Sequence, residues 1–368
     1  LDTTLCNSYL SVNLQTIINN MQSIQEDIGP DVECIPVLKD NAYCLGAVPI
    51  AKALCTYANV RTIAVAQVCE GVELRQAGLS APAVLVLGGV PERLFPAAVY
   101  ALEKLAAAQG KRAEVQIKVE TGLNRTGAKP GAELGALATA LAACPHVRTM
   151  GVFSHFSTGE TKESPTAYRQ FQLYQQALAQ LQAAGIDPPQ KHMCNSGGSD
   201  WFRASFCNAV RIGRRLYMDN QAEPLTPGTP GAVQEACSWR ASVTNLRVVE
   251  AGDTVGYDAA WTAPRRTRVA TVCVGYGDGL YYPLAEAGGP LLVGEQRARL
   301  LATCMDQCFV DVTDIPCRAG DEVTFFGQSS GGATMPIQEL GKFMHVEGVY
   351  FYSFLSPRVA RVYEGLEP

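Results

Sequence analysis

Cys34-Ile35-Pro36-Val37-Leu38-Lys39-Asp40-Asn41-Ala42-Tyr43-Cys44-Leu45-Gly46 begins as an apolar run and stops abruptly at a lysine. The run reads as a barrel strand that delivers an amine to a site at its carboxyl end. A lysine ending a buried strand loses hydration. Its ammonium is then disfavoured, and a nucleophilic free amine, or an imine to a carbonyl, comes within reach near neutral pH. A lysine snorkelling out of the strand end would explain this one stretch equally well. The rest of the chain decides between the two.

Upstream, residues 1–10 alternate loosely and predict an edge strand, followed by a helical pattern over about 13–27. Downstream, short β-branched runs at 34–38, 62–66, 83–87, 98–100, 115–119, 147–153, 190–194 and 209–212 alternate with helical stretches at 49–57, 69–77, 101–109, 131–143 and 165–184. Repeated β-then-α over this length predicts a (β/α)8 TIM-like barrel. Its weakest part lies between the third and fourth strands, where 91–95 leaves room for little more than one helical turn. At 224–230 three prolines in seven residues break the pattern, because proline neither continues a helix nor pairs inside a sheet. The domain boundary is expected there, with the barrel over 10–228. A mostly β C-terminal domain over 229–368 would include the N-terminal strand 1–9. Its runs are 241–249, 268–274, 299–304, 309–312 and 322–326, with one helix at 337–343.

Lys and Arg total 30 against 35 Asp and Glu, a formal charge of −5 with no basic block, so nucleic acid is not an expected partner. The longest apolar run, near Leu85, is far shorter than the ~20 residues that span a bilayer, and the first residues lack the basic and apolar regions of a signal peptide. A soluble, cytoplasmic protein is expected. The 13 cysteines are odd in number, scattered through apolar segments and free of Cys-x-x-Cys spacing, so they read as reduced small hydrophobes. The four histidines do not cluster with them in a ligand pattern, and no metal is expected.

In such a barrel the site lies at the carboxyl ends of the strands, with phosphate groups in the loops after strands seven and eight. Those loops read Asn195-Ser196-Gly197-Gly198 and Arg211-Ile212-Gly213-Arg214, with small residues, a hydroxyl and glycines that let backbone N–H groups approach a ligand. Two ordinary glycine turns would look the same. The other strand ends are polar in concert: Lys39 with Tyr43, Lys118 through Arg125, and Ser154-His155-Phe156. A lysine for an aldehyde, a phosphate cup and several cations at one barrel mouth point to pyridoxal 5′-phosphate.

These segments resemble the alanine racemase family. Leu38-Lys39-Asp40-Asn41-Ala42-Tyr43 is similar to its cofactor-lysine motif, and Lys118-Val119-Glu120-Thr121-Gly122-Leu123-Asn124-Arg125-Thr126-Gly127 to its Lys-Val-Asp-Thr-Gly-Met-x-Arg-x-Gly. Gly151 to Phe156, Cys194-Asn195-Ser196, Val210-Arg211-Ile212-Gly213, Gly252 to Tyr257, Val274 to Gly279 and Cys304 to Gln307 follow in the family's order. The resemblance implies that Lys39 holds pyridoxal 5′-phosphate as an imine and acts as a base on one face of the substrate's Cα. Tyr257 is then the base on the other face, as racemisation requires. A tyrosine of ordinary pKa ~10 needs nearby cations for that task, and His155 and Arg211 are the expected ones.

By the same resemblance Arg211 faces the pyridine nitrogen and keeps it unprotonated, which restrains side reactions. Arg125 approaches the cofactor's phenolic oxygen and the substrate carboxylate, oriented by Lys118, which is carbamylated in some relatives. Tyr43, Ser196, Gly213 and the backbone N–H of Arg214 hold the phosphate, with Asn195 and His155 also at the cofactor. Tyr276 and Met305 contact substrate. Tyr257 and Met305 come from the partner subunit of a head-to-tail homodimer, so a monomer lacks a complete site.

Three departures stand out. Cys44-Leu45 replaces Gly-His, Arg214-Arg215 replaces aliphatic or small residues, and Pro357 stands where an entrance-gating, phosphate-binding tyrosine is expected. The expected function is interconversion of L- and D-alanine for peptidoglycan precursors. A serine or broad-specificity racemase is the alternative that Pro357 motivates. A non-catalytic carrier of the cofactor would lack a β domain with a tyrosine base, and a basic-amino-acid decarboxylase would carry an acidic motif near Cys304 that is absent here.

Overall fold

The computed structural model describes residues 7–89, 95–218 and 225–366. Among the described residues, eight strands run up to the end of the barrel: β1 Ser8–Asn13, β2 Glu33–Pro36, β3 Thr62–Val65, β4 Ala83–Val86, β5 Ala113–Lys118, β6 Val147–Phe153, β7 Gln190–His192 and β8 Ala209–Ile212. The barrel wall is β2 to β8. Its pairs are parallel, with β2 on β8, β3 on β4, and β5 on β6 on β7. A Val37–Ala64 bridge joins β2 to β3, and the Arg211 N–H donating to the Cys194 carbonyl at 3.0 Å joins β8 to the end of β7. Helices Leu14–Ile28, Ala47–Tyr57, Val68–Gln76, Phe95–Ala108, Ala132–Ala142 and Pro165–Ala183 cover the outside. Helix Leu14–Ile28 is representative of why they form. Asn13 caps it by accepting from Thr16 N–H, and Leu14, Ile17, Ile18, Met21, Ile24 and Ile28 recur at helical spacing and are buried.

The fourth strand expected at 98–100 is absent. Those residues belong to helix Phe95–Ala108, because Pro96 presets the helical φ in the first turn and the alanines that follow favour helix. The expected weak link over 91–95 lies outside the described residues except for Phe95. Among the described residues no ladder joins β4 to β5. A cavity of about 700 Å3 lined by Val84, Leu85, Val86, Leu102, Val115 and Ile117 lies between these strands.

Beyond the barrel, β9 (Cys237–Val249) is the spine of a nine-stranded sheet. It pairs antiparallel with β1, so the N-terminal strand belongs to this sheet, and β1 pairs in parallel with the last strand, Ala360–Glu364. Residues 1–6 lie outside the described residues. The expected strands appear as Thr267–Val272, Gln296–Thr303, Cys308–Asp311 and Glu322–Gln328, with helix Ile337–Met344. Strand Pro290–Val293 and helices Tyr282–Glu286 and Val349–Ser353 were not foreseen. The cysteines among the described residues are free thiols. No helix among them is long and apolar enough to cross a membrane.

One acid inside this framework gives the protein a pH dependence. The Glu235 carboxylate accepts from the Ile337 N–H at 3.3 and 3.2 Å, and burial pushes it up to about 8 from a reference of 4.5. Between these values the folded protein holds a proton that the unfolded chain releases, so stability falls as pH rises from about 4.5 to about 8, by up to ~1.4 kcal/mol per unit. Glu235→Gln is expected to raise Tm at pH 9 and to lose that advantage toward pH 5. A gap between the two melting curves that does not change with pH would contradict this.

Candidate active site

Lys39 follows β2 after Val37 and Leu38, and the chain then makes an unusual turn. Asp40, Asn41, Ala42, Tyr43 and Cys44 have φ of 55, 50, 55, 57 and 63°, a left-handed turn built without glycine. Each such residue costs ~1–2 kcal/mol relative to the right-handed form, so the surroundings must hold it. They do. The Glu70 carboxylate accepts from Asp40 N–H at 2.5 Å, Asn41 Oδ1 accepts from Ala47 N–H at 2.7 Å, and Arg361 donates to the Cys44 carbonyl from Nε at 3.1 Å and Nη2 at 2.9 Å. Tyr363 Oη donates to the Leu45 carbonyl at 3.1 Å. The C-terminal strand thus clamps the turn that carries Lys39 and Tyr43, with Lys39 Nζ 5.9 Å from the centre of the Tyr43 ring.

The turn opens onto a pocket of about 400 Å3. Lys39, Tyr43, Lys118, Arg125, His155, Asn195, Ser196, Arg211, Gly213 and Arg214 all line it, so residues drawn from the ends of β2, β5, β6, β7 and β8 converge as the strand-end reading expects. Tyr257, Tyr276 and Met305 do not line it; they are 67, 39 and 52% exposed on the β domain.

Electrostatics differentiate the pocket groups. Burial lowers the Lys39 pKa, helped by Arg125 and opposed by Asp40 and Glu70. Lys118, whose Nζ donates to Thr126 Oγ1 at 2.6 Å, is lowered to about 8 by burial, Arg125 and Arg211. Burial pushes Tyr43 up to about 12, so it stays a neutral phenol able to donate. The loop bearing Arg125 is shaped by the Glu120 carboxylate, which accepts from the N–H of Gly122 and, at 3.2 Å, of Arg125. Gly127, at φ 125°, is required there, because a Cβ would lie 2.9 Å from the Glu120 nitrogen.

Arg211 is 3% exposed and engaged through both of its terminal nitrogens. Its Nη2 donates to the Ser154 carbonyl at 2.6 Å, the Met193 carbonyl at 3.2 Å and His155 Nδ1 at 3.0 Å, and its Nη1 donates to His192 Nδ1 at 2.5 Å. Burial lowers it to about 10, still protonated at neutral pH. His155 was expected as a second cation. Burial and the charges of Arg211, Arg125, Lys118 and Lys39 hold its pKa well below the usual range, so it is neutral and accepts a hydrogen bond from Arg211 instead.

A row of polar residues inside the barrel was missed from sequence. His192 Nε2 bonds Gln116 Oε1 at 2.7 Å, Gln116 donates to Gln190 at 2.6 Å, and Gln190 donates to Glu33 at 2.7 Å. This row fixes the tautomer with Nδ1 free to accept from Arg211, and so fixes the guanidinium. Alternation along β5 and β7 could have shown that Gln116 and His192 point inward, but not that they meet.

The chain has relatives of known fold and family. Residues 12–221 match the model for "Alanine racemase, N-terminal domain", and residues 236–363 match "Alanine racemase, C-terminal domain". The alanine racemase of Desulforamulus reducens is 33% identical over 373 residues, covering 97% of this chain and 99% of that protein. The crystal structure of alanine racemase from Bacillus anthracis with bound L-Ala-P superposes with a TM-score of 0.85 at 28% identity, covering 98% of this chain and 96% of that one. The alanine racemase of Bartonella henselae with covalently bound pyridoxal phosphate shares the fold at a TM-score of 0.84 and 24% identity, covering 98% of this chain and 100% of that one. With both of its domain models matched in order across most of its length, the chain belongs to the alanine racemase family.

Proposed function

We propose that this protein uses pyridoxal 5′-phosphate to interconvert the L and D forms of a small amino acid, alanine first. The convergence of Lys39, Arg211 and the Tyr43–Ser196–Gly213 cup on one pocket carries this reading. The residues fit the cofactor: a desolvated amine for its aldehyde, neutral donors for its phosphate, and an immobilised guanidinium for its ring nitrogen. A Cβ on Gly213 would lie 2.3 Å from Tyr43 Oη, so only glycine keeps the cup open. When bound, the cofactor supplies the electron sink that makes the substrate's Cα–H acidic.

The chain's own groups do the rest. Lys39 attaches the cofactor and, its ammonium disfavoured by burial, takes or returns a proton on one face of Cα. Arg211, a group that cannot accept a proton, would meet the cofactor's ring nitrogen without protonating it. Arg125 would orient the substrate carboxylate, with Asn195 and His155 as further residues that would hold the cofactor. Lys118, near neutrality at about 8, is able to take up CO2 with loss of a proton, which would set an anion beside Arg125. Tyr257 is the opposite base, and Tyr276 and Met305 line the substrate side. Their exposure away from this chain's pocket supports a head-to-tail homodimer in which a second copy brings Tyr257 and Met305 in. The domain division at 228/229, a cytoplasmic location and a role in supplying D-alanine to peptidoglycan belong to the same reading.

A serine or broader racemase is the second reading. Pro357 is exposed and sits where the resemblance expects the gating tyrosine. Purified protein given L-alanine and L-serine, with chiral analysis of the products, is expected to form D-alanine fastest. D-serine appearing at an equal rate would establish the broader enzyme, and neither product appearing would contradict both readings.

A further inference from the structure

The resemblance gives the phosphate only the backbone N–H of Arg214. We propose that the Arg214 side chain is itself the cationic ligand of the cofactor's phosphate, and that it leaves its ion pairs with Glu160 and Glu347 to take that role. This rests on the reading of the pocket as a pyridoxal 5′-phosphate site.

Arg214 stands where the resemblance expects an aliphatic or small residue, yet its side chain does not escape to solvent. It is 12% exposed and lines the pocket with Tyr43, Ser196 and Gly213. Its guanidinium reaches Glu160 from the loop after β6 and Glu347 from the β domain, while its buried Nε has no hydrogen-bond partner among the described residues. The rest of the cup is neutral. Ser196 Oγ accepts from the Gly213 N–H at 3.0 Å, leaving its own hydrogen to donate, and Tyr43 stays a phenol.

A phosphate monoester carries close to two negative charges at neutral pH. Neutral donors alone leave such a charge poorly compensated in an enclosed pocket, and a guanidinium gives a fork that matches phosphate geometry. The buried arginines of this region are committed elsewhere: Arg211 to the barrel wall, and Arg215 to Asp200, Ser199 and the Gly231 carbonyl. Arg214 is the cation that directly follows Gly213 of the cup, and it and Tyr43 sense each other's charge. The Glu160 and Glu347 side chains are 38 and 50% exposed, so both carboxylates can turn to water when phosphate takes the guanidinium. The exchange also accounts for Pro357. Where the expected tyrosine contact to phosphate is missing, Arg214 supplies a stronger one.

The plainer role for Arg214 is a tie between the barrel and Glu347 of the β domain, and the test separates the two. Enzyme stripped of cofactor is titrated with pyridoxal 5′-phosphate and, separately, with pyridoxal, which lacks the phosphate; binding is read from visible absorbance and protein fluorescence. Arg214→Ala is expected to weaken pyridoxal 5′-phosphate roughly 10- to 100-fold and leave pyridoxal unchanged, with partial recovery in Arg214→Lys. Glu347→Gln is expected to leave pyridoxal 5′-phosphate affinity unchanged or tighter, because a competitor for the guanidinium is gone. Equal weakening of both compounds by Arg214→Ala, or a Glu347→Gln protein that reproduces the Arg214→Ala loss, would make Arg214 a structural tie and overturn the proposal. Wild-type protein that takes up neither compound would instead overturn the cofactor reading beneath it.

Discussion

Lys39→Ala is expected to abolish racemisation, lowering the rate about ten-thousandfold or more, and to remove the visible absorbance of bound cofactor. The substitution deletes two functions at once, the covalent attachment and one of the two proton-transfer groups, and no neighbour can substitute. Lys118 is the nearest alternative amine lining the pocket, but it sits at the end of β5, bonded to Thr126. The fold should not suffer. The left-handed turn beside Lys39 is held by Glu70, Asn41, Arg361 and Tyr363 rather than by the lysine side chain. Removing an amine that burial already disfavours should leave Tm unchanged or slightly higher. Thermal melting, absorbance and a chiral assay on the same preparation check all three statements. A Lys39→Ala protein with more than a few per cent of wild-type racemisation would remove Lys39 from the mechanism.

Tyr257→Phe is expected to produce a different failure. The cofactor should still attach and absorb normally, because Tyr257 lies outside the pocket that holds Lys39. Racemisation should fall by about 10²- to 10⁴-fold, the usual worth of a positioned acid–base group. With Lys39 intact, exchange of the Cα hydrogen with deuterated water should continue for the one enantiomer whose hydrogen faces Lys39, without inversion. Folding of the single chain should be unaffected, since on it the side chain is 67% exposed. The backbone that presents Tyr257 is more demanding. Gly256 has φ 84°, and a Cβ there would approach Ala302 Cβ to 2.8 Å, so a Gly256 substitution should disturb both folding and activity.

Much of this site was legible because barrel strands announce their ends. A β-branched run that closes on a charged or small polar residue marks the carboxyl face, and 34–39, 115–118, 147–155 and 209–214 all do so. Helices such as Leu14–Ile28 were legible from spacing alone. What escaped depended on contacts distant in sequence. Asp40 to Cys44 have no local signal for left-handed geometry, because Arg361 and Tyr363 impose it from the far end of the chain. The row from Glu33 through Gln190 and Gln116 to His192 exists only once β2, β5 and β7, no two of them paired with each other, are brought together in the barrel. The misread strand at 98–100 was a contest between a template that wanted an eighth strand and an alanine-rich sequence that favours helix; local propensity prevailed. The charge of His155 was misjudged for a related reason, since the local sequence shows neither its burial nor its hydrogen bond from Arg211.

The proposed mechanism depends above all on each active site joining Lys39 of one copy to Tyr257 of the other. Mixing the two inactive proteins is its sharpest check. Lys39→Ala and Tyr257→Phe chains are co-expressed in equal amounts with different tags, and racemisation of alanine is measured on the isolated mixture. Random assortment makes about half of the dimers mixed, and each mixed dimer has one intact site of two, so about a quarter of wild-type activity is expected where each parent alone has almost none. A mixture no more active than its parents, with mixed dimers present by tag capture, would contradict the shared site and place both bases, or a different second base, within a single chain.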